Sequence, residues 1–434
     1  MSDQSRRAAN GPDRRAFLSL MGAGALVAPG LLRPAHAAGE DRLLQALIDQ
    51  NQRRELGQDF DSASRTIHMP KSSLPTLSAS TADTTAQAVG QYEGILARGG
   101  WPVVPPVERL RLGNRHPSVV ALRKRLAISG DLDTSAGAAG ESDIFDSYVE
   151  AAVRRFQARH GISIDGIVRA ETFRRLNIPC EVRLAQLKTN VGRLKAMSGN
   201  LGDRYVMCNI PAAQIEAVEN GVAVGRYTAV VGRPSRPSPD VNSKITEINF
   251  NPYWTVPVSI VRRDLVPLMQ KDPNYLASEH IHIYDMRGNE LQPSQINWNS
   301  NEAVNYRFRQ DPGDFNSLGT LRIQFASPDG VYMHDTPEKG LFGDDMRFHS
   351  SGCVRVQNVR DLVDWLLRDT PNWSREQIDA TIKSGQRVDA RLVKAVPVYW
   401  VYVTAWATPD GIVQFRDDIY NKDGLGQYAD TSKG

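Results

Sequence analysis

The feature that most constrains this chain is a change of hydrophobic period near residue 200. Upstream, apolar residues recur at helical spacing: Val119, Leu122 and Leu126 share one face, and Val149, Ala152, Val153 and Phe156 fall at i, i+3, i+4 and i+7. Val182 to Met197 continues the pattern. From Tyr205 onward the apolar runs become short or alternating and are punctuated by turn residues: Tyr205 to Ile210, Gly221 to Gly232, Lys244 to Phe250, Leu321 to Phe325, Val331 to His334 and Val398 to Trp406. These are strand signals, so a helical unit is followed by a β-rich domain, an α+β arrangement. Within the β-rich part, Val258 to Met269, Pro273 to His280 and Asn358 to Leu367 read as helices, with Asn358 as N-cap and Asp361 in the first turn of the last. A helical cap insertion at about 258–305 therefore interrupts the sheet.

The length, 434 residues, fits two or three domains. Residues 1–37 form a targeting pattern: Asp13-Arg14-Arg15-Ala16-Phe17-Leu18, an apolar stretch to Leu32, then Ala35-His36-Ala37 as a small-x-small cleavage site. This resembles a twin-arginine (Tat) signal, which implies a periplasmic product. Pro29 and Gly30 break the apolar stretch, so no permanent membrane anchor is expected. The segment carries five arginines against two aspartates, and its removal brings the formal charge from +3 to near neutral. Nucleic-acid binders retain a basic excess for phosphate neutralisation, so that class is excluded.

Residues 38–105 are read as a partly ordered lead-in, because 57–90 are rich in Ser, Thr and Asp with little apolar periodicity. The run Trp101-Pro102-Val103-Val104-Pro105-Pro106 closes it as a stiff boundary. Residues 106–180 then make a compact helical domain containing a Gly-, Ala- and Asp-rich insert at 130–143. Phe156-Gln157, Gly161, Asp165-Gly166 and Thr172 occur in the order of the peptidoglycan-binding-like three-helix module, which this stretch resembles. Arg169 stands where that module more often has glycine. A linker helix at 181–200, a β-rich domain at 201–425 and a flexible tail at 426–434 complete the expected organisation.

Residues 331–358 hold the densest set of reactive groups: His334, His349, Ser350, Ser351, Cys353 and Arg355, with Gly340, Gly343 and Gly352 between them. Two histidines and a cysteine could suggest zinc, but structural zinc uses four ligands at paired short spacings, which are missing, so no metal is expected. The residues alone leave two readings of Cys353, a buried structural thiol or a nucleophile. A nucleophile needs a base to make the thiolate, and His334 lies 19 residues upstream. Gly352 would let the backbone approach a substrate and leave two adjacent N–H groups for an oxyanion. Cys180 and Cys208 are the other cysteines, and a disulfide between them is open.

Six ordered segments decide between these readings: Val231-Gly232-Arg233-Pro234, Ser243-Lys244-Ile245, Phe250-Asn251-Pro252-Tyr253-Trp254, Phe308-Arg309-Gln310-Asp311-Pro312-Gly313, Tyr332-Met333-His334-Asp335-Thr336-Pro337 and Ser350-Ser351-Gly352-Cys353-Val354-Arg355-Val356. Their order resembles YkuD-type L,D-transpeptidases, most of all the large YcbB-type branch. The resemblance implies that Cys353 is the acylated nucleophile and His334 its base. It further implies that the Asp335 backbone orients the imidazole, that the Gly352 and Cys353 N–H groups hold the oxyanion, and that Arg355 supports the site or a substrate carboxylate. Ser351 departs from the histidine common before the Gly-Cys pair, which makes His349 a secondary candidate. Tyr253 and Trp254 could line a groove.

The implied reaction is acyl transfer between peptidoglycan stem peptides, giving 3-3 cross-links without a cofactor. Its rivals are 1-3 cross-linking from a first-position L-alanine, L,D-carboxypeptidase activity, and a non-catalytic wall-binding role. Stem peptides and glycan strands are the expected partners, and carbapenems the expected covalent inhibitors. The insertion and the loop Lys339 to Arg347 are expected to cap the site.

Overall fold

The computed structural model describes residues 73–133 and 141–425. The signal-like segment, the tail at 426–434 and the middle of the 130–143 insert lie outside them. Helix α1 (Thr81–Ala97) stands where a partly ordered lead-in was expected. Its buried side is built largely from small or polar residues, Ala82, Thr85 and Ala88, joined by Tyr92 and Ile95, which is why hydrophobic period alone did not reveal it. Tyr92 and Ile95 pack against Cys180, Leu184 and Leu187 of α5 (Cys180–Met197), so the linker helix is one half of a packed helix pair.

Between these two helices lie α2 (Ser118–Ile128), α3 (Ser147–Arg159) and α4 (Ala170–Leu176). The Asp146 side chain caps α3 by accepting from the Val149 N–H at 3.0 Å. The stripe Val149, Ala152, Val153 and Phe156 enters one core with Leu122, Leu126, Phe173 and Leu176. Gln157 explains the Phe-Gln signature: its Oε1 accepts from the Gly166 N–H at 2.9 Å and its Nε2 donates to the Ile167 carbonyl at 3.0 Å. The left-handed residue of that turn is Gly166, at φ +74°, while Arg169 is extended at φ −116° and needs no glycine.

The β-rich domain comprises β1 (Arg204–Asn209), β2 (Gln214–Glu219), β3 (Val222–Gly232), β4 (Val241–Phe250), β9 (Leu321–Phe325), β10 (Met333–His334), β11 (Phe348–Ser350), β12 (Val354–Val356) and β13 (Val388–Val401). Their order is β11-β3-β12-β10-β9-β4-β13-β1-β2, and β2 also pairs with β3, so the sheet closes on itself. Alternation along β1 sends Val206 and Cys208 into the central core and Tyr205 and Met207 to the opposite side. Helices α6 (Val359–Leu367) and α7 (Arg375–Ser384) add Leu362, Val363, Leu366 and Ile378 to that core.

Three expectations are corrected, and the question of a Cys180–Cys208 disulfide is answered. The insertion between β4 and β9 is not simply helical: β5 (Trp254–Thr255), β6 (Ile281–Tyr284), β7 (Glu290–Leu291) and β8 (Arg307–Gln310) form their own sheet, β5-β8-β6-β7, with a separate core. Val398 to Trp406 is not one strand. β13 begins ten residues earlier, hidden by Arg391, Lys394 and Pro397, and the chain breaks before β14 (Ala405–Ala407), which pairs with β15 (Val413–Phe415). Asn358 precedes α6 in a left-handed conformation and its side chain makes no capping bond to the helix. Cys180 and Cys208 are both free, buried in different cores. Among the described residues no helix is long and apolar enough to cross a membrane.

Candidate active site

The site forms where β10 and β12 run side by side. Their parallel register sets Met333 opposite Val354 and His334 opposite Arg355, and the Val354 N–H donates to the Tyr332 carbonyl at 3.1 Å. Met333 and Val354 point into the core. By the two-residue alternation, Tyr332, His334, Cys353 and Arg355 share the other face, and antiparallel β9 adds Arg322 opposite His334. Tyr332 packs edge-on to His334 at 5.7 Å, and the Arg322 guanidinium lies 4.3 Å over the Tyr332 ring.

His334 is buried, and its Nδ1 meets the Asp335 carbonyl at 2.5 Å. Burial, and then the nearby Arg355 charge, push its pKa down to about 3, so the ring is neutral at neutral pH. A neutral ring facing a carbonyl with Nδ1 must carry its proton there, which leaves Nε2 as an acceptor. The Asp335 side chain is itself fixed: Oδ2 accepts from both the N–H and the hydroxyl of Thr320 at 3.0 Å, and Oδ1 pairs with Lys339.

Burial raises the Cys353 thiol above the usual cysteine range, while hydrogen bonds from the Tyr332 backbone and hydroxyl, and the charges of Arg322 and Arg355, oppose it. The resting pair is thus a neutral thiol and a neutral imidazole. Tyr332 stands beside the sulfur, and Trp254 of β5 lies near the same hydroxyl. Among the described residues no hydrogen bond joins the His334 ring to the sulfur, although both lie on one sheet face. Resting sites often tighten such contacts only when substrate binds.

The nucleophile loop differs from expectation in one donor. Gly352 has φ +119°, a conformation that favours glycine, but its N–H is taken by the Ser350 Oγ at 3.1 Å. The Ser350 hydroxyl in turn donates to the Cys353 carbonyl at 2.5 Å. The Cys353 N–H has no acceptor among the described residues. One oxyanion donor is free here, not two.

Of the other candidates, Ser351 is exposed and its Oγ accepts from Arg236 at 3.0 Å. Arg236 makes a two-pronged pair with Asp264 at 2.5 and 3.0 Å, on a π-helical turn (Val261–Leu265) of the insertion. His349 is exposed, and its ring reaches Asp344 at 3.4 Å. Arg355 pairs with Glu338, the residue just before the loop expected to cap the site. Tyr253 is partly exposed beneath Arg309, at 4.3 Å. Among the described residues no cluster of three or more His, Cys, Asp or Glu could hold a metal. Sequence reasoning assigned no role to Tyr332, Arg322, Arg236 or Asp264. Strand alternation around His334 points to Tyr332, whereas the other three have no local signal.

A cysteine just before one strand and a neutral histidine on the neighbouring strand, with cations and one free amide near by, make an arrangement able to carry out thiol acyl transfer. Residues 203–377 match the YkuD family, described as the L,D-transpeptidase catalytic domain, and residues 115–176 match the family described as "Putative peptidoglycan binding domain". The chain therefore carries a β-rich domain that matches the YkuD family and a helical module that matches the peptidoglycan-binding one. It is 35% identical over 239 residues to a Haemophilus influenzae protein named "Putative L,D-transpeptidase", an alignment covering 55% of this chain and 48% of the relative. The chain thus spans about half the length of that curated relative. Solved structures include an L,D-transpeptidase from Mycobacterium smegmatis, at 13% identity over 46% of this chain and 58% of that one, with a TM-score of 0.23. One from Stackebrandtia nassauensis gives 12% identity, 68% and 97% coverage and a TM-score of 0.25. At such scores these alignments add nothing to the assignment of the fold.

Proposed function

We propose that the chain is a peptidoglycan L,D-transpeptidase of the YcbB-like branch that forms 3-3 cross-links in the periplasm, exported by the Tat-like segment 1–37. The observation that carries this reading is the shared sheet face of His334 and Cys353 within the family-matched residues. His334 Nε2 takes the Cys353 proton as the sulfur adds to the carbonyl of the third-position diaminopimelate. The C–N bond to the following D-alanine breaks, its amine leaves with the proton from His334, and a thioester remains. A side-chain amine from a neighbouring stem then attacks, gives a proton to His334 and releases the thiol. Arg322 and Arg355 favour the thiolate as it forms.

Intact sacculi incubated with the purified chain or its Cys353→Ala variant, followed by mass spectrometry of muropeptides, test the reading. New 3-3 dimers that need Cys353 are expected. Trimmed stems without dimers would replace it by L,D-carboxypeptidase activity, and 1-3 dimers by a first-position donor. Identical products from both chains would leave only a wall-binding role. An L,D-transpeptidase titled LdtMt1 has been solved in complex with imipenem. Carbapenem acylation of Cys353 is expected here by the same thiol chemistry. For export, replacing Arg14 and Arg15 together by lysine should retain the protein in the cytoplasm.

A further inference from the structure

The peptide joining Gly352 to Cys353 is held from one side only. Its carbonyl accepts the Ser238 hydroxyl at 2.8 Å, and Ser238 is 1% exposed. A trans peptide is planar, with its C=O and N–H pointing in opposite directions. Fixing the Gly352 carbonyl on Ser238 therefore fixes the direction of the Cys353 N–H, the amide that no described residue accepts. The Gly352 N–H, one peptide earlier, is already used by Ser350.

Ser238 is itself rigidly placed. Its Oγ accepts from the Gly232 N–H at 2.9 Å, and its own N–H donates to the Tyr420 hydroxyl at 3.1 Å, which donates onward to the Gly232 carbonyl at 2.6 Å. The loop 233–238 folds so tightly over Gly232 that a Cβ there would stand 2.4 Å from the Arg236 carbonyl oxygen and 2.5 Å from the Ser238 nitrogen. Tyr420 is braced by the Tyr402 hydroxyl, which accepts from its N–H at 2.8 Å and donates to Asp418 at 2.6 Å. Tyr420 comes from beyond residue 377, where the catalytic-domain match ends.

We propose that Ser238 is a positioning residue that aims the Cys353 N–H as the oxyanion donor of this site, with Tyr420 holding Ser238 in place. The proposal rests on the acyl-transfer reading above. When the sulfur adds to a carbonyl, the S–C bond forms and the C=O electron pair moves to oxygen, which the aimed N–H receives. Loss of one preorganised oxyanion donor costs about 10²–10³ in rate, so a misaimed donor should show in acylation.

The test compares two reactions of the same thiol in the purified chain. Imipenem acylates through a tetrahedral oxyanion: the sulfur adds to the lactam carbonyl, then the ring C–N bond opens and its nitrogen takes the proton. Iodoacetamide alkylates by displacement of iodide from a saturated carbon and forms no oxyanion. Ser238→Ala is expected to slow acylation by about 10–100-fold while alkylation and its pH profile stay as in the wild type. Ser238→Thr, which keeps the hydroxyl, should recover most of the loss. Tyr420→Phe, which leaves the Ser238 bond to Gly352, should lose less than Ser238→Ala. Equal loss of both reactions in all three variants would mean that the loop has collapsed and would overturn the proposal, as would acylation of Ser238→Ala at the wild-type rate. A wild-type chain alkylated at Cys353 but never acylated would instead remove the acyl-transfer reading on which it rests.

Discussion

Gly319 lies directly against Asp335: a Cβ added to Gly319 would stand 2.5 Å from the Asp335 carboxyl carbon and from its Oδ2. The same carboxylate takes two bonds from Thr320, and its residue's carbonyl holds the His334 ring. Gly319 is therefore a packing condition for the orientation of the imidazole, acting through Asp335. Gly319→Ala should lower stability by about 1–3 kcal/mol, for the strained left-handed backbone, and also reduce the rate of Cys353 acylation. Gly330→Ala is the control, since Gly330 has φ +66° but open space around its Cβ position. Thermal denaturation and acylation kinetics separate the two. Equal acylation rates in both variants would show that the contact with Asp335 does not matter.

The pH dependence follows from the buried, neutral His334. Its folded pKa of about 3 lies below the usual unfolded value of about 6.5, so between these limits the unfolded chain binds the extra proton. Stability from this group is thus complete above about pH 6.5 and is lost as pH falls towards about 3, at up to about 1.4 kcal/mol per pH unit. His334→Gln removes that slope. Urea unfolding at pH 7 and pH 4.5 should show the wild type losing more stability than the variant, and parallel losses would contradict a buried neutral ring.

The reactive centre was far more legible in the sequence than its supports. Cys353, His334, Asp335 and Gly352 sit within 20 consecutive residues, and strand alternation places Tyr332 on the face of His334. The peptide-orienting bond of Ser238 spans 114 positions and the Tyr420 bond spans 182, so nothing local marks them. The same holds for fold. Val149, Val153 and Phe156 at helical spacing announced α3, whereas α1 buries largely Thr and Ala, whose small hydrophobic signal is indistinguishable from that of a polar lead-in. The insertion's two-residue strands β5 and β7 are too short to show alternation.

Asp264 ties the insertion to the nucleophile loop through Arg236 and Ser351. The link replaces local chemistry with a long-range clamp at the position where a histidine is more common. Asp264→Ala should leave Arg236 without its carboxylate, loosen the insertion over the site and admit water to the thioester. The expected result is a higher ratio of hydrolysed to transferred product when an amine acceptor is present at fixed concentration. The Cys353 alkylation rate should rise as access improves. An unchanged product ratio would show that the insertion does not control the acceptor.

Asp417 joins the helical module to the segment that carries Tyr420. Its Oδ2 lies 2.7 Å from both Arg174 and Arg175 of α4, and those charges hold its carboxyl below the usual carboxylate range despite burial. Removing one side of a buried ion pair strands the other charge, at a cost of about 3–5 kcal/mol. Both arginines keep Glu171 as a second partner, which places the expected loss for Asp417→Asn towards the low end. The contact also ties α4 to the segment after β15, so its loss should change the form of unfolding as well as its midpoint. With Asp417 present, tryptophan fluorescence and circular dichroism should follow one urea transition. In Asp417→Asn the module's transition should separate and move to lower urea. A single transition shifted as a whole would mean that other contacts, such as the Arg416 bond to the Arg159 carbonyl at 3.0 Å, are enough to couple the two.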